Sequence, residues 1–145
     1  LQTKPEELDE LYSQLNILVS EHKNKDTSLL LICGDFNAKV GKNYDDVECL
    51  GKYLRGRRND SGQNLIDFCN AHNLFITNSS FKQKAAHIST WESTRSSEDK
   101  TKVVRIFNQI DYIICPESQK YNLGNARSYN GMITKSDHRL VITKI

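Results

Sequence analysis

The spacing of apolar residues predicts two helices in the first half of the chain. Beyond Pro5, apolar side chains recur every three or four residues, as on one face of a helix, at Leu8, Leu11, Tyr12, Leu15, Leu18 and Val19. Acidic residues fill the first turn, which is typical of a helix N-terminus. A second helix is predicted from Asp60, which has with Gln63 the spacing of a capping box, to about Ala71. Its apolar face comprises Leu65, Ile66, Phe68 and Cys69.

Short apolar runs predict the strands. The run Leu29–Cys33 is apolar throughout and too short for a helix, so we expect a strand that is covered on both faces. Further strands are predicted at Leu74–Thr77, His87–Trp91, Lys102–Cys115 and Leu140–Ile142. The glycine-punctuated segment 38–58 predicts a long irregular loop, and the polar segment 93–100 predicts the tip of a hairpin.

Together these elements predict an α/β (α+β) sandwich. Helices and strands alternate early and then give way to strands, which favours a mixed sheet flanked by helices over a doubly wound nucleotide-binding fold. With 145 residues the chain has the length of one ordinary domain. No apolar run approaches the roughly 20 residues that a bilayer-spanning helix needs. We therefore expect no membrane association.

The cysteines indicate the redox environment of the protein, and the charge distribution indicates what it can bind. The four cysteines form no C-x-x-C pair, and Cys33 and Cys69 lie inside apolar patterns, so we expect reduced thiols and an intracellular protein. Residues 1–50 carry five Lys and Arg against ten Asp and Glu, whereas residues 51–145 carry fifteen against eight. The basic excess is interpreted either as a surface for a polyanion or as dispersed solvating charge.

Three short polar motifs carry the candidate chemistry at the ends of predicted strands. Asp35 and Asn37 follow the first strand, and Asp137 and His138 precede the last one. Carboxylates are ligands for Mg²⁺ or Mn²⁺, so Asp35 and Asp137 are the candidate metal ligands, and Asp35 is also the candidate base. His138 suits donation to a phosphate oxygen, with Asp111 as the partner that holds its ring. Taken singly, each motif is also a common strand-to-turn ending.

Taken jointly, the motifs and their neighbours resemble the endonuclease/exonuclease/phosphatase superfamily. The resemblance is strongest to its non-LTR retrotransposon endonucleases and their craniofacial-development-protein-like relatives, and it covers nearly the whole chain. It rests on Gly34-Asp35-Phe36-Asn37-Ala38, Asn59-x-x-Gly62-x-x-Leu65-Ile66-Asp67-Phe68-Cys69, Asn73-Leu74-x-Ile76-x-Asn78, Thr90-Trp91, Gln109-Ile110-Asp111-Tyr112-Ile113 and Ser136-Asp137-His138-Arg139-Leu140-Val141.

This resemblance implies a divalent-metal-dependent DNA endonuclease of the type that nicks a retrotransposon target, with two facing sheets flanked by helices. By the same resemblance, Asp35 would orient and deprotonate the attacking water, and Asn37 would hydrogen-bond that water or the scissile phosphate. Asp137 would serve the Mg²⁺ or Mn²⁺ ion. His138, oriented by Asp111, would stabilise the charge on the phosphorane.

Basic residues are the candidate DNA contacts. The resemblance implies that the hairpin region 92–105 helps to choose the target, with phosphate contacts at Arg95, Lys100, Lys102 and Arg105. The alternative is an ordinary solvated hairpin. A second basic group is either a phosphate-binding loop or a solubilising one, and comprises Arg55, Arg57 and Arg58. Trp91 is interpreted as a core residue in preference to a base-stacking one.

The resemblance also implies that residues 1–145 form one partial domain, the C-terminal half of the family fold. The family's first half, with its metal-ligating Glu, would lie outside this sequence. We therefore expect DNA as a partner, together with the missing N-terminal half or a self-associating copy, and a nuclear location. Two classes of function stay open: an endonuclease that is complete only with that half, or a degenerate, non-catalytic module that binds nucleic acid or protein.

Overall fold

The computed structural model of the chain describes residues 5–22, 28–42, 47–97, 102–129 and 136–145. The backbone divides into two compact units, residues 1–30 and residues 31–145. The first unit contains helix α1, Pro5–His22, which confirms the helix predicted from the leucine spacing. Glu6 and Glu7 lie in its first turn, where their negative charges complement the helix dipole, and His22 lies in its last turn.

The second unit contains one further α-helix and seven strands within its described residues. The helix is α2 (Asp60–Ala71), and the strands are β1 (Ile32–Asp35), β2 (Leu74–Ile76), β3 (Trp91–Ser96), β4 (Val103–Asn108), β5 (Asp111–Pro116), β6 (Gly124–Tyr129) and β7 (Leu140–Lys144). Strands that hydrogen-bond to each other are antiparallel. A single parallel bridge, between Leu50 and Ile76, lies outside the named strand pairs. The α+β class expected from the sequence is confirmed.

Strand β5 is the centre of this unit. It lies between β1 and β2 in a three-stranded sheet, while β3 pairs with β4 and β6 pairs with β7. Residues 112–115 of β5 are buried, as is the whole of β2. Helix α2 lies beside β2 and contributes four buried apolar side chains, Leu65, Ile66, Phe68 and Cys69. This burial confirms the apolar face that the sequence predicts for the second helix.

The prediction that the first strand is covered on both faces was wrong. Within the part of the chain that the structure describes, β1 pairs with β5 alone, and its last three residues are exposed. Cys33, expected to pack as a small hydrophobe, is one of these exposed residues. An apolar run favours a strand through local preference, whereas coverage depends on which other elements lie against it. The exposure of β1 is therefore a feature that the run of residues could not reveal.

Other element boundaries also differ from the predictions. Residues 85–87 form a 3-10 turn in place of the expected strand start, and β3 continues to Ser96, into the segment predicted as a hairpin tip. The long stretch Lys102–Cys115 divides into β4 and β5. The sequence did not predict β6 at all, and β7 confirms the last strand. None of the described helices has the length and apolar composition of a transmembrane span.

Candidate active site

Asp35 is the last residue of β1, and the chain turns sharply after it. The backbone N–H of Asn37 donates to Asp35 Oδ1 at 2.9 Å, and Phe36 donates to the Ile110 carbonyl at 3.0 Å. Asn37 adopts a left-handed conformation with φ of 48°, which asparagine tolerates better than most residues. This turn holds one oxygen of the Asp35 carboxylate in place. The side chain of Asn37 is exposed on the same turn.

Residues 36–40 follow Asp35, and we call them the Asp35 loop. Tyr112 of β5 forms hydrogen bonds to this loop. The fully buried Tyr112 hydroxyl lies 3.0 Å from the Ala38 carbonyl oxygen and 2.7 Å from that of Gln109, and it accepts from the Val40 N–H at 3.4 Å. Burial raises the pKa of this hydroxyl, so it stays protonated and can donate. The strand that carries Asp111 is thereby joined to the loop that carries Asn37.

The N-terminus of α2 also contacts the Asp35 loop. Asn59 is the N-cap, and its side-chain oxygen accepts from Gly62 N and from Lys39 N, both at 2.9 Å. A Cβ at Gly62 would overlap the Lys39 carbonyl, so only glycine allows this approach. The predicted capping box was wrong, since the Gln63 amide instead donates to Asp67 within α2 at 2.8 Å.

His138 reaches the site through an extra backbone pairing beside β3. An antiparallel bridge joins Trp91 to His138, and the Arg139 N–H donates to the Thr90 carbonyl at 2.7 Å. Because Trp91 also pairs with Asn108 at the end of β4, the His138 segment is aligned with the start of β5. Residues almost thirty positions apart in the sequence are brought side by side in this way.

The imidazole of His138 lies between two carboxylates. Its Nδ1 is 3.1 Å and 3.2 Å from the two oxygens of Asp111, and its Nε2 is 3.8 Å from Asp35 Oδ2. Asp35 and Asp111 are themselves directly paired across β1 and β5. A carboxylate accepts and does not donate, so the contact with Asp111 places the proton of a neutral ring on Nδ1. Nε2 then faces Asp35.

Opposing effects act on the pKa of Asp111. Burial raises the pKa of Asp111, while the hydrogen bond from Thr90 and the charge of His138 oppose that rise. The Thr90 hydroxyl oxygen also accepts from the N–H groups of Ile110 and Asp111, at 3.0 Å and 3.1 Å. No role was predicted for Thr90. The signal for it was its place in the Thr90-Trp91 motif.

Trp91 contacts the remaining acidic residue of the motifs. Its indole N–H donates to Asp137 Oδ2 at 2.8 Å, and the residue is partly exposed. The interpretation of Trp91 as a core residue was therefore wrong. An indole N–H near a protein surface usually finds an acceptor. The sequence could not identify Asp137 as that acceptor, because the two residues are 46 positions apart.

Asp35, Asp111 and His138 form a group that could hold a metal ion. Each offers one ligand atom, and these atoms lie within 4.8 Å of one another; no comparable group of three occurs elsewhere in the described ranges. Carboxylate oxygens suit a hard divalent ion such as Mg²⁺. Asp137, which the sequence predicts as a metal ligand with Asp35, is not a member of this group, and its Oδ2 accepts from the Trp91 indole; its role as a ligand stays a prediction.

Arg55, Arg57 and Arg58 have different environments in the structure. Arg58 donates to the Asp35 loop and to Gln63 Oε1, both at 3.1 Å, so it supports the loop. Arg55 donates to Ser89 Oγ at 3.1 Å and lies over the Phe107 ring. Arg57 is exposed. Arg55 and Arg58 thus have partners within the chain, and a phosphate role for Arg55, Arg57 and Arg58 stays a prediction.

The second basic group lies on the hairpin of β3 and β4. Arg95 and Lys102 are exposed, and Arg105, with 69% of its side chain exposed, is 3.5 Å from Glu92. Lys100 lies outside the described residues. Arg95 pairs with Val104 towards the far end of the hairpin from Trp91. The hairpin therefore carries exposed positive charge outward from the candidate site.

Comparisons with known proteins show similarity in sequence and in fold. Over 116 residues, 80% of this chain, the sequence is 36% identical to craniofacial development protein 2 of Tragulus javanicus and of Bos taurus. The chain spans about a fifth of those proteins, 19% and 18% of their lengths respectively. Its fold is similar to the endonuclease domain of TRAS1, a telomere-specific non-LTR retrotransposon, with a TM-score of 0.63 and 18% identity over 98% of this chain and 52% of that one. No protein-family model matches.

Proposed function

We propose that this chain, a relative of craniofacial development protein 2 with the fold of a retrotransposon endonuclease domain, is part of a divalent-metal-dependent DNA endonuclease. The observation that carries the proposal is the position of the His138 imidazole between the carboxylates of Asp111 and Asp35. A carboxylate can act as a base in phosphodiester hydrolysis, and an imidazole oriented by a second acid can stabilise the charge on the phosphoryl group. Target nicking in the nucleus is the corresponding biological role.

In this proposal Asp35 and Asn37 handle the attacking water. One Asp35 oxygen is engaged by the Asn37 N–H, and the other faces His138 at 3.8 Å. Asp35 would accept a proton from water, and the exposed Asn37 amide would hydrogen-bond the water or the phosphate. Asn37 adopts a left-handed backbone conformation directly after Asp35, and such conformations cluster at active sites.

His138 and the metal ligands handle the phosphate. With Nδ1 bound to Asp111, the Nε2 of a protonated His138 would donate to a phosphoryl oxygen as negative charge builds up there. Asp35 and Asp137 would hold Mg²⁺ or Mn²⁺, and a bound ion supplies positive charge to the same phosphoryl group. Trp91 keeps the Asp137 carboxylate in one orientation.

We propose that the catalytic unit is larger than this chain. The solved endonuclease domain is about twice as long as the matched region, and the exposed free edge of β1 would accept a further strand. The missing half of the domain, or a second copy, would complete the sheet and supply further metal ligands. Exposed Arg57, Arg95, Lys102 and Arg105, with Lys100, are the proposed phosphate contacts to DNA.

A nicking assay on supercoiled plasmid tests the proposal. Mg²⁺ and Mn²⁺ are compared, using this chain and, in parallel, the longest protein that its gene encodes. We expect nicking that falls on the order of 100-fold or more with Asp35→Asn or His138→Ala, and that is unchanged with Asp60→Asn, a matched substitution at the exposed start of α2. Equal nicking by all four proteins would rule out the proposed site.

A non-catalytic interaction module is the second candidate function. It is favoured by the coverage of only 52% of the solved endonuclease domain. Under this alternative no substitution-sensitive nicking occurs in either protein, while plasmid DNA is still bound with an affinity that falls as salt rises. The same plasmid, used in a gel-shift titration at two salt concentrations, separates the two candidates.

A further inference from the structure

Two backbone hydrogen bonds attach the segment that carries His138 to the start of β3. The Glu92 N–H donates to the Asp137 carbonyl at 2.9 Å, and the Arg139 N–H donates to the Thr90 carbonyl at 2.7 Å. They flank the β-bridge that pairs His138 with β3. A ladder this short opens easily unless other contacts hold it closed. The position of His138 therefore depends on the side chains around this segment.

The side chain of Arg139 joins this segment to three other parts of the chain. Its Nη2 donates to Glu92 Oε2 at 2.8 Å, and its Nη1 donates to the Ala86 carbonyl at 2.8 Å. Its Cζ lies 5.4 Å from the centre of the Phe107 ring in β4, which is within the range of a cation–π contact. Only 17% of the Arg139 side chain and 29% of the Glu92 side chain are exposed. Solvent therefore screens this ion pair less than a pair on the open surface.

Arg139 and His138 lie on opposite faces of their segment. Successive side chains of an extended strand point to opposite faces, so neighbours in the sequence contact different surroundings. The His138 ring contacts Asp111, whereas the Arg139 guanidinium contacts Glu92 and lies over Phe107. These contacts of Arg139 are on the face away from the groups proposed to react. Any effect of Arg139 on the chemistry must therefore act through the position of His138.

The same stretch of chain also fixes Asp111. The hydroxyl of Thr90, directly before β3, accepts from the Asp111 N–H at 3.1 Å, while the carbonyl of Thr90 accepts from the Arg139 N–H. Residues 90–92 therefore hold both the His138 segment and the start of β5. The contact of 3.1 Å between His138 Nδ1 and Asp111 is kept only while both attachments remain in place.

We propose that Arg139 and Glu92 are positioning residues that hold the His138 imidazole against Asp111. Without the Arg139 guanidinium, the segment loses its side-chain contacts with Glu92 and with the Ala86 carbonyl and can move away from β3. The hydrogen bond from Nδ1 to Asp111 then weakens, and the proton of the neutral ring is free to occupy Nε2 instead. The consequence for nuclease chemistry rests on the proposed function, whereas the orientation of His138 can be measured without it.

Nitrogen-15 NMR of the histidine rings tests the positioning directly. At about pH 8.5, where histidine side chains are ordinarily neutral, the ring nitrogen shifts distinguish the Nδ1–H tautomer from the Nε2–H tautomer. His138→Gln assigns the resonances. We expect His138 to be the Nδ1–H tautomer in wild type and a mixture of both tautomers in Arg139→Met. Arg139→Lys keeps the charge but loses the fork that reaches two acceptors, so it should show less mixing than Arg139→Met.

Lys120→Met is the matched control, because it breaks an ion pair of similar exposure just after β5, whose other end carries the site. Lys120 lies 2.6 Å from Glu117, and 22% of its side chain is exposed. This substitution should leave the His138 tautomer as in wild type. A wild-type tautomer in Arg139→Met, or in Glu92→Gln if circular dichroism shows that Arg139→Met does not fold, would overturn the proposal. Equal mixing in Lys120→Met would do the same.

Plasmid nicking by the longest protein that the gene encodes separates this inference from the proposed function. Arg139→Met should lower kcat on the order of 10-fold with KM unchanged, because the substrate is still bound while His138 is displaced. Lys120→Met should leave both constants as in wild type. A loss confined to KM in Arg139→Met would contradict positioning. If no protein nicks the plasmid, the proposed function fails, and the tautomer measurement alone decides whether Arg139 and Glu92 position His138.

Discussion

At the scale of single residues, the candidate site depends on hydrogen bonds that hold each reactive side chain in one orientation. Asp111 orients His138, and Trp91 orients Asp137. The candidate site residues could be predicted from the sequence, because the Gly-Asp and Asp-His motifs consist of neighbouring residues. The orienting contacts could not, since the indole of Trp91 gives no local sign of which carboxylate accepts its proton.

Trp91→Phe should weaken metal binding while it preserves the aromatic ring. Loss of the indole N–H frees the Asp137 carboxylate to rotate, and removal of an orienting partner commonly costs about 10–100-fold in metal affinity or activity. Mn²⁺ binding is measured by electron paramagnetic resonance. In an Asp137→Asn background the same substitution should have no further effect. An undiminished Mn²⁺ affinity in the single variant would remove Trp91 from the site.

The raised pKa of Asp111 predicts a distinctive dependence of stability on pH. Burial disfavours its charged form in the folded protein, so ionisation of Asp111 opposes folding above the folded-state pKa. That opposition disappears as the pH falls through this pKa towards the lower value of the unfolded chain. In metal-free buffer, wild type should therefore gain stability relative to Asp111→Asn on mild acidification, as followed by urea unfolding. When wild type is compared with Asp60→Asn in the same way, we expect no gain in the stability of wild type on acidification.

At the scale of elements, three segments converge on the Asp35 loop. Tyr112 of β5 hydrogen-bonds to it, the Asn59 side chain caps α2 and accepts from the Lys39 N–H, and Gly62 allows the close approach. The sequence predicts the strand, the loop and the helix correctly. It assigns the cap wrongly, because a capping box is a local pattern and the structure uses the Asn59 side chain for a partner twenty residues away.

Gly62→Ala should be the most damaging single methyl addition in this region. The added Cβ would overlap the Lys39 backbone, which cannot move without disturbing the Asp35 loop, and overpacking of this kind costs about 1–3 kcal/mol. Gly34→Ala is the matched control, since no atom lies within 4 Å of its added Cβ. Asn59→Ala should cost about 0.5–2 kcal/mol through loss of the cap. Denaturant titration measures all three, and equal midpoints for the two alanine-for-glycine variants would contradict the close approach.

At the scale of the whole molecule, the main departure from the expected sandwich is that β1 pairs with β5 alone among the residues that the structure describes. An edge strand with exposed backbone groups pairs readily with another strand. The family resemblance predicts that half of the domain lies outside this sequence, and that half as a partner stays a prediction. The apolar run Leu29–Cys33, read locally, predicts a strand covered on both faces, and the exposure of the last three residues of β1 shows that this was wrong.

The isolated chain should therefore self-associate or bind the remainder of the domain. Sedimentation velocity at micromolar concentration should detect a species larger than the monomer. Cys33→Lys places a charge on the exposed strand and should reduce that species, because edge lysines oppose strand pairing. Ser96→Lys, at an exposed hairpin position, is the matched control. A compact monomer across the concentration range would show that β1 needs no partner.

The sequence by itself determined the helices, most strands and the identity of the candidate site residues. These features follow from periodicity, turn chemistry and residue type within a few positions of one another. Only the tertiary structure decided that His138 lies between Asp111 and Asp35, that Trp91 binds Asp137, and that the last three residues of β1 stay exposed. Each of these depends on strand pairing between distant segments, and pairing partners are selected by the energy of the whole fold and leave no local pattern.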